Sequence, residues 1–156
     1  MEFVHVELKR DTWVIPEMII RNPEDAVTAV QTLIQNLDRE LVICIHTATS
    51  GRVINASVCS VGTMTQALIS PAEVLRTALL SGAQGIVMIH NHPSGNCQPS
   101  ADDLQLAKKM ATVCALMGVQ LIDFIVIGAY DCTHSVKSCE EEWLHPSYEW
   151  LNAGMV

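Results

Sequence analysis

Apolar and polar positions follow two rhythms along this chain, and each rhythm marks a different kind of element. Ala26, Val27, Val30, Leu33, Ile34 and Leu37 recur at the three-and-four spacing of one helical face. Before them, Asn22-Pro23-Glu24-Asp25 supplies a cap residue, a proline at the first helical position and acids for the first turn. A helix ending near Asp38 is expected. Glu40–His46 is a β-branched, apolar run too short for a comparable helix, and it predicts a buried strand. Thr49-Ser50-Gly51 turns the chain, and Arg52–Val61 returns as a second strand that pairs with the first as a hairpin. Ser70-Pro71-Ala72-Glu73 opens a helix that Gly82 ends. Gly85–Ile89 is another buried strand. From Ser100 a helix runs to Gly118, with Leu106, Ala107, Met110, Val113, Cys114 and Met117 as its apolar stripe. Gln120–Ile127 is again a strand, and Tyr130–Val136 adds an edge-like one after the turn at Gly128.

Helices interleave with strands, yet the Glu40–Val61 pair is antiparallel. The fold class is therefore α/β (α+β mixed), a mixed sheet with helices on both faces. Residues 1–21 form a weakly patterned lead-in with a short strand at Phe3–Leu8, 22–136 the body, and 137–156 a C-terminal extension. Trp143 and Trp150 in that extension suit either a tail folded back on the body or a docking tail for a partner.

With 156 residues, 49 % of them apolar, one globular domain is expected. No apolar run approaches the roughly 20 residues of a membrane span. The start, Met1–Glu7, lacks the basic-then-apolar plan of a signal peptide, so a cytoplasmic location is expected. Nine Lys and Arg stand against seventeen acids, a net charge of −8 that supplies few cations to displace counterions from a duplex. Nucleic acid is thereby disfavoured as the main partner. None of the six cysteines forms a C-x-x-C pair, and Cys44, Cys59 and Cys114 lie in apolar segments, as in a reduced intracellular protein.

The chemistry gathers at His90–Asp103. Residues two apart on a strand share a face, so His90 and His92 present their imidazoles together with Asn91 turned away. A loop containing Pro93, Gly95 and Pro99 reverses the chain, and Asp103 falls in the first turn of the next helix, on its buried side. Two neutral imidazoles and a carboxylate are the ligand set of a catalytic zinc that keeps one position for water. The same Ser100-x-x-Asp103 is also a helix-start pattern in which the acid caps the helix with no metal present. Cys97, inside the loop, either takes the water position through its thiolate or points elsewhere, the second reading being the one adopted. His46 is read as a strand-end hydrogen-bonding residue rather than a pocket residue, and His134 admits the same two readings.

The string His90-x-His92-x7-Ser100-x2-Asp103 resembles the JAMM motif of the MPN/JAB metalloproteases without a gap. His90–Gly95, Pro99-Ser100, Arg39-Glu40, Ser60–Thr63, Pro71-x-Glu73-Val74 and Leu121–Asp123 before Ile125–Gly128 are similar, more narrowly, to the RadC-like JAB branch. The resemblance implies Zn2+ held by His90, His92 and Asp103, with Glu40 as the catalytic proton shuttle and Ser100 as oxyanion stabiliser. It implies hydrolysis of a peptide or isopeptide bond, with a peptide or protein as partner. It also admits a DNA-repair-associated or non-catalytic module in which the metal is structural. Phe124 stands where the family usually has His, and Ala72 where it often has Arg. The helix-hairpin-helix region of full-length members is not expected within these 156 residues.

Overall fold

The computed structural model describes residues 5, 7–9, 16–34, 38–62, 69–129 and 132–147. In chain order the elements are α1 (Pro23–Ile34), β1 (Leu41–Thr47), β2 (Val53–Val61), α2 (Pro71–Leu80), β3 (Gly85–Asn91), α3 (Ala101–Leu116), β4 (Gln120–Ile127), β5 (Thr133–Ser135) and α4 (Val136–Cys139). A 3-10 turn at Glu141–Leu144 follows. The strands form one sheet in the order β2-β1-β3-β4-β5. β3 and β4 run parallel, joined through α3, and every other neighbouring pair is antiparallel. The expected hairpin and mixed sheet are both present.

β1 and β3 are buried along their whole length because helices cover both faces. Their side chains alternate between two cores. Val42, Cys44, Ile86 and Met88 pack with Val74, Leu75 and Ala78 of α2 and Leu106, Ala107 and Met110 of α3. Leu41, Ile43, Ile45, Val87 and Ile89 pack with Ala26, Ala29 and Val30 of α1. A strand buried on both faces reads as a continuous apolar run, which is why β1 and β3 were legible without strict alternation. Among the described residues, no helix is long and apolar enough to cross a membrane.

Several expected boundaries shift. β3 continues two residues beyond Ile89, because His90 pairs with Val42 of β1 and Asn91 with Ile127 of β4. The last strand shrinks to Thr133–Ser135, since Ser135 caps α4 by accepting a hydrogen bond from Ser138 N; Tyr130 lies outside the described residues. Met117 caps the end of α3 and stands exposed rather than completing the apolar stripe. Of the strand expected at Phe3–Leu8, Phe3, Val4 and Val6 lie outside the described residues, and Glu7 and Leu8 are not in a strand. Leu37 also lies outside them. The lead-in is anchored where Ile19 bridges Arg52. Trp143 packs partly buried on the α2/α3 core with Lys108 Nζ 5.5 Å from its ring, so this part of the extension folds back; Trp150 lies outside the described residues.

Candidate metal centre

The carboxyl ends of the parallel strands β3 and β4 meet the start of α3 at one end of the sheet, where open α/β sheets bind their ligands. His90 sits at the end of β3, 1 % exposed. Its Nδ1 lies 3.2 Å from the Leu41 carbonyl oxygen. A carbonyl only accepts, so Nδ1 carries the proton and Nε2 keeps its lone pair. His92 repeats the device one step on: its backbone N–H donates to Ile127 O at 2.7 Å, and its Nδ1 lies 2.8 Å from Asn96 O. Two backbone carbonyls thus select the tautomer that frees both Nε2 atoms.

Asp103 reaches the same point from the other side. It is 2 % exposed, although carboxylates are rarely buried without partners. Its Oδ2 accepts hydrogen bonds from Ser100 N at 2.7 Å and Ser100 Oγ at 2.6 Å, while Asp103 N donates to Ser100 Oγ at 3.1 Å. This reciprocal capping box is worth about 1 kcal/mol to the helix start. The helix-start reading of the serine–aspartate pair is therefore present, and the same box orients the carboxylate toward the two imidazoles. Asp103 Oδ1 lies 3.7 Å from His90 Nε2, and Oδ2 lies 3.4 Å from His92 Nε2. Burial pushes the Asp103 carboxyl up, but hydrogen bonds from His92 and Ser100 outweigh it and hold the pKa at about 2. Burial holds His90 below its ordinary value, whereas His92 is raised, because in its protonated form its Nε2–H donates to the Asp103 carboxylate.

These donors fit a zinc ion. Ligand atoms on a tetrahedral centre with bonds of about 2.0–2.2 Å stand about 3.4 Å apart. All three donors lie within 4.8 Å of one another, the only such group of three among the described residues. With both imidazoles deprotonated at Nε2 and the carboxylate ionised, the set would offer three ligand atoms and leave one position open.

Glu40 lines the same open cleft of about 220 Å³ as His90, His92, Ser94, Ser100 and Asp103. The expected proton shuttle and the expected ligands are therefore brought together. Ser100 is there too, but its hydroxyl proton is directed at Asp103. Sequence reasoning missed Asn91. Its side chain does not simply turn away: Oδ1 accepts from Leu41 N at 2.6 Å and Nδ2 donates to Arg39 O at 3.1 Å. These two backbone groups flank Glu40, whose own carbonyl accepts from Gly62 N at 2.9 Å. The signal available was a buried amide at the end of an apolar strand, which needs partners.

Cys97 is disulfide-bonded to Cys132, with Cα atoms 5.6 Å apart, so it points away from the water position as adopted but is not the free thiol expected. The expectation of a fully reduced chain fails for this pair, because the fold brings together residues that no short motif connects. Cys44, Cys59, Cys114 and Cys139 are free. His46 bonds through Nδ1 to Asn55 Oδ1 towards the far end of β1, away from the cleft. His134 Nε2 stands 3.9 Å from Glu140 Oε2. Phe124 is wholly buried in the α2/α3 core, and Ala72 is exposed in the first turn of α2. A second cleft of about 230 Å³, between α3, β4 and the 3-10 turn, gathers no ligand set.

A family model described as RadC-like JAB domain matches residues 20–142. A UPF0758 protein of Halalkalibacterium halodurans is 32 % identical over 126 residues, covering 79 % of this chain and 54 % of that protein. A UPF0758 protein of Actinobacillus pleuropneumoniae serotype 5b is 37 % identical over 112 residues, covering 72 % and 51 %. One from Rubrobacter xylanophilus is 34 % identical over 110 residues, covering 70 % and 48 %. The chain spans about half the length of these curated relatives. With the motif, the mixed sheet and the matched span in agreement, the chain belongs to the RadC-like JAB domain family.

Proposed function

We propose that this chain is a zinc-dependent hydrolase of the JAMM type, acting on a peptide or isopeptide (amide) bond. The observation that carries the reading is the convergence of His90 Nε2, His92 Nε2 and the Asp103 carboxylate on one cleft that Glu40 also lines. A zinc ion bound there would supply Lewis acidity and make a water nucleophile available near neutral pH. Glu40 takes the proton that the attacking water loses and returns it to the departing amine, the general acid–base work of a fixed carboxylate. Asn91 holds the backbone on either side of Glu40 and Gly62 N holds the carbonyl of Glu40 itself, so positioning that residue costs little reorganisation. Ser100 orients Asp103 in the resting arrangement; turned toward substrate, its hydroxyl would donate to the oxyanion.

A structural zinc is closed by four protein ligands, whereas three ligands beside an open cleft favour catalysis over the structural alternative. The test is metal analysis of the purified chain followed by assay on amide and isopeptide substrates. About one zinc per chain is expected, lost in a His90→Ala, His92→Ala double variant. Glu40→Gln should keep the metal and lower turnover by about 100-fold or more. A folded wild-type chain with no affinity for zinc would end this reading.

A further inference from the structure

The loop that carries His92 is docked on the turn between β4 and β5. Gly95 N donates to His92 O at 3.0 Å, closing a tight turn in which Gly95 adopts φ +89°. Ala129 N then donates to Gly95 O at 3.0 Å. The approach is so close that a Cβ at Gly128 would collide with the Gly95 carbonyl oxygen. The receiving turn is itself closed by hydrogen bonds from Gly128 N to Cys132 O and from Cys132 N to Ala129 O. The Cys97–Cys132 disulfide joins the two pieces covalently. Asn96, whose carbonyl fixes the tautomer of His92, is the residue immediately before Cys97. The covalent tie therefore lies one residue from the group that aims a metal ligand.

We propose that Cys97–Cys132 is a site of reversible thiol–disulfide modification that controls how tightly the centre holds its metal. The inference rests on the metal reading above and adds regulation to it. The reductant is a thiol, either a small molecule or a protein dithiol. Cys132 is half-buried and Cys97 is 6 % exposed, so the incoming thiolate meets Cys132 Sγ. A bond forms between the reductant sulfur and Cys132, the Cys97–Cys132 bond breaks, and Cys97 leaves as a thiolate that takes up a proton. A second thiolate attacks the reductant sulfur of this mixed disulfide, and Cys132 leaves and is protonated. The balance is two electrons and two protons gained by the protein and one disulfide formed by the reductant. Reduced, the loop keeps its few hydrogen bonds but loses the covalent tie, and the Asn96 carbonyl no longer holds His92 as firmly. Losing an outer partner of a ligating imidazole typically weakens metal binding about 10–100-fold.

The experiment measures zinc affinity of the full chain by chelator competition, before and after a phosphine reductant, with the disulfide mapped by mass spectrometry and folding followed by circular dichroism. Amide hydrogen exchange at Gly95 and Ala129 is read in parallel. The expected result is a folded reduced chain that binds zinc about ten-fold more weakly, with faster exchange at both amides. Cys132→Ser should show the weak affinity from the outset and ignore the reductant. Because the wild-type comparison needs no variant, the test stands even if Cys132→Ser misfolds. Equal affinity in both redox states, tighter binding on reduction, or no disulfide in the oxidised protein overturns the proposal and leaves the metal centre intact. A chain that binds no zinc in either state overturns the metal reading beneath it instead.

Discussion

Ser100 shows how one hydroxyl serves two purposes. It accepts from Asp103 N as a helix cap and donates to Asp103 Oδ2 as an orienting group. Ser100→Ala should therefore cost about 1–2 kcal/mol of stability through the lost cap, and about ten-fold in zinc affinity through the loosened carboxylate. Urea unfolding and chelator competition on the same variant separate the two. Unchanged zinc affinity would reduce Ser100 to a cap alone. The pair His90 and His92, with Ser100 and Asp103 after the loop, was legible in the sequence because strand alternation and helix-start chemistry are local rules. The roles of Asn91 and Cys132 were not legible. An amide or a thiol declares its partner only once strands distant in sequence lie side by side, as Asn91 does beside Arg39 and Leu41.

Among the elements, β4 and α4 are joined through a single buried carboxylate. Asp123 Oδ1 accepts from Phe124 N at 2.8 Å and Lys137 N at 3.0 Å, and Oδ2 accepts from Ser135 Oγ at 2.6 Å. Asp123→Ala leaves those donors without a buried acceptor and should destabilise the fold by about 2–4 kcal/mol. Asp123→Asn keeps an acceptor for the two backbone groups and should lose much less. Burial raises the pKa of Asp123 above its ordinary value despite these bonds. A carboxyl raised in the folded state contributes stability that is present below its unfolded pKa and lost as the pH rises through the folded value. Wild type should accordingly gain on Asp123→Asn as the solution is acidified from neutrality toward about pH 4. Equilibrium unfolding of both proteins across that range checks the sign. The strands and helices themselves were read nearly in full. The errors fell at ends: β3 runs on because neighbours on both sides keep pairing with it, and β5 stops early because Ser135 begins a helix.

For the whole molecule, the disulfide closes a separation of 35 residues that contains all of α3 and β4. The chain-entropy account gives such a closure about 4 kcal/mol. Reduction should then lower the unfolding midpoint by about 10 °C in a domain of this size, measured by calorimetry in the absence of metal. A net charge of −8 leads to a second global expectation: duplex DNA should bind weakly at physiological salt, and titrations at two ionic strengths would reveal any steep salt dependence. The bracket that Asn91 forms around Glu40 bears on the molecule as a whole. The residue supplying the bracket stands between the two histidines, so one side chain at the end of β3 ties Glu40, just before β1, to the stretch that carries both imidazoles. β1 and β3 are thereby tied at this end by a side chain as well as by their backbone pairing. Asn91→Asp would uncouple them, since a carboxylate accepts from Leu41 N but repels the Arg39 carbonyl. Its expected signature is lost turnover with the zinc still in place.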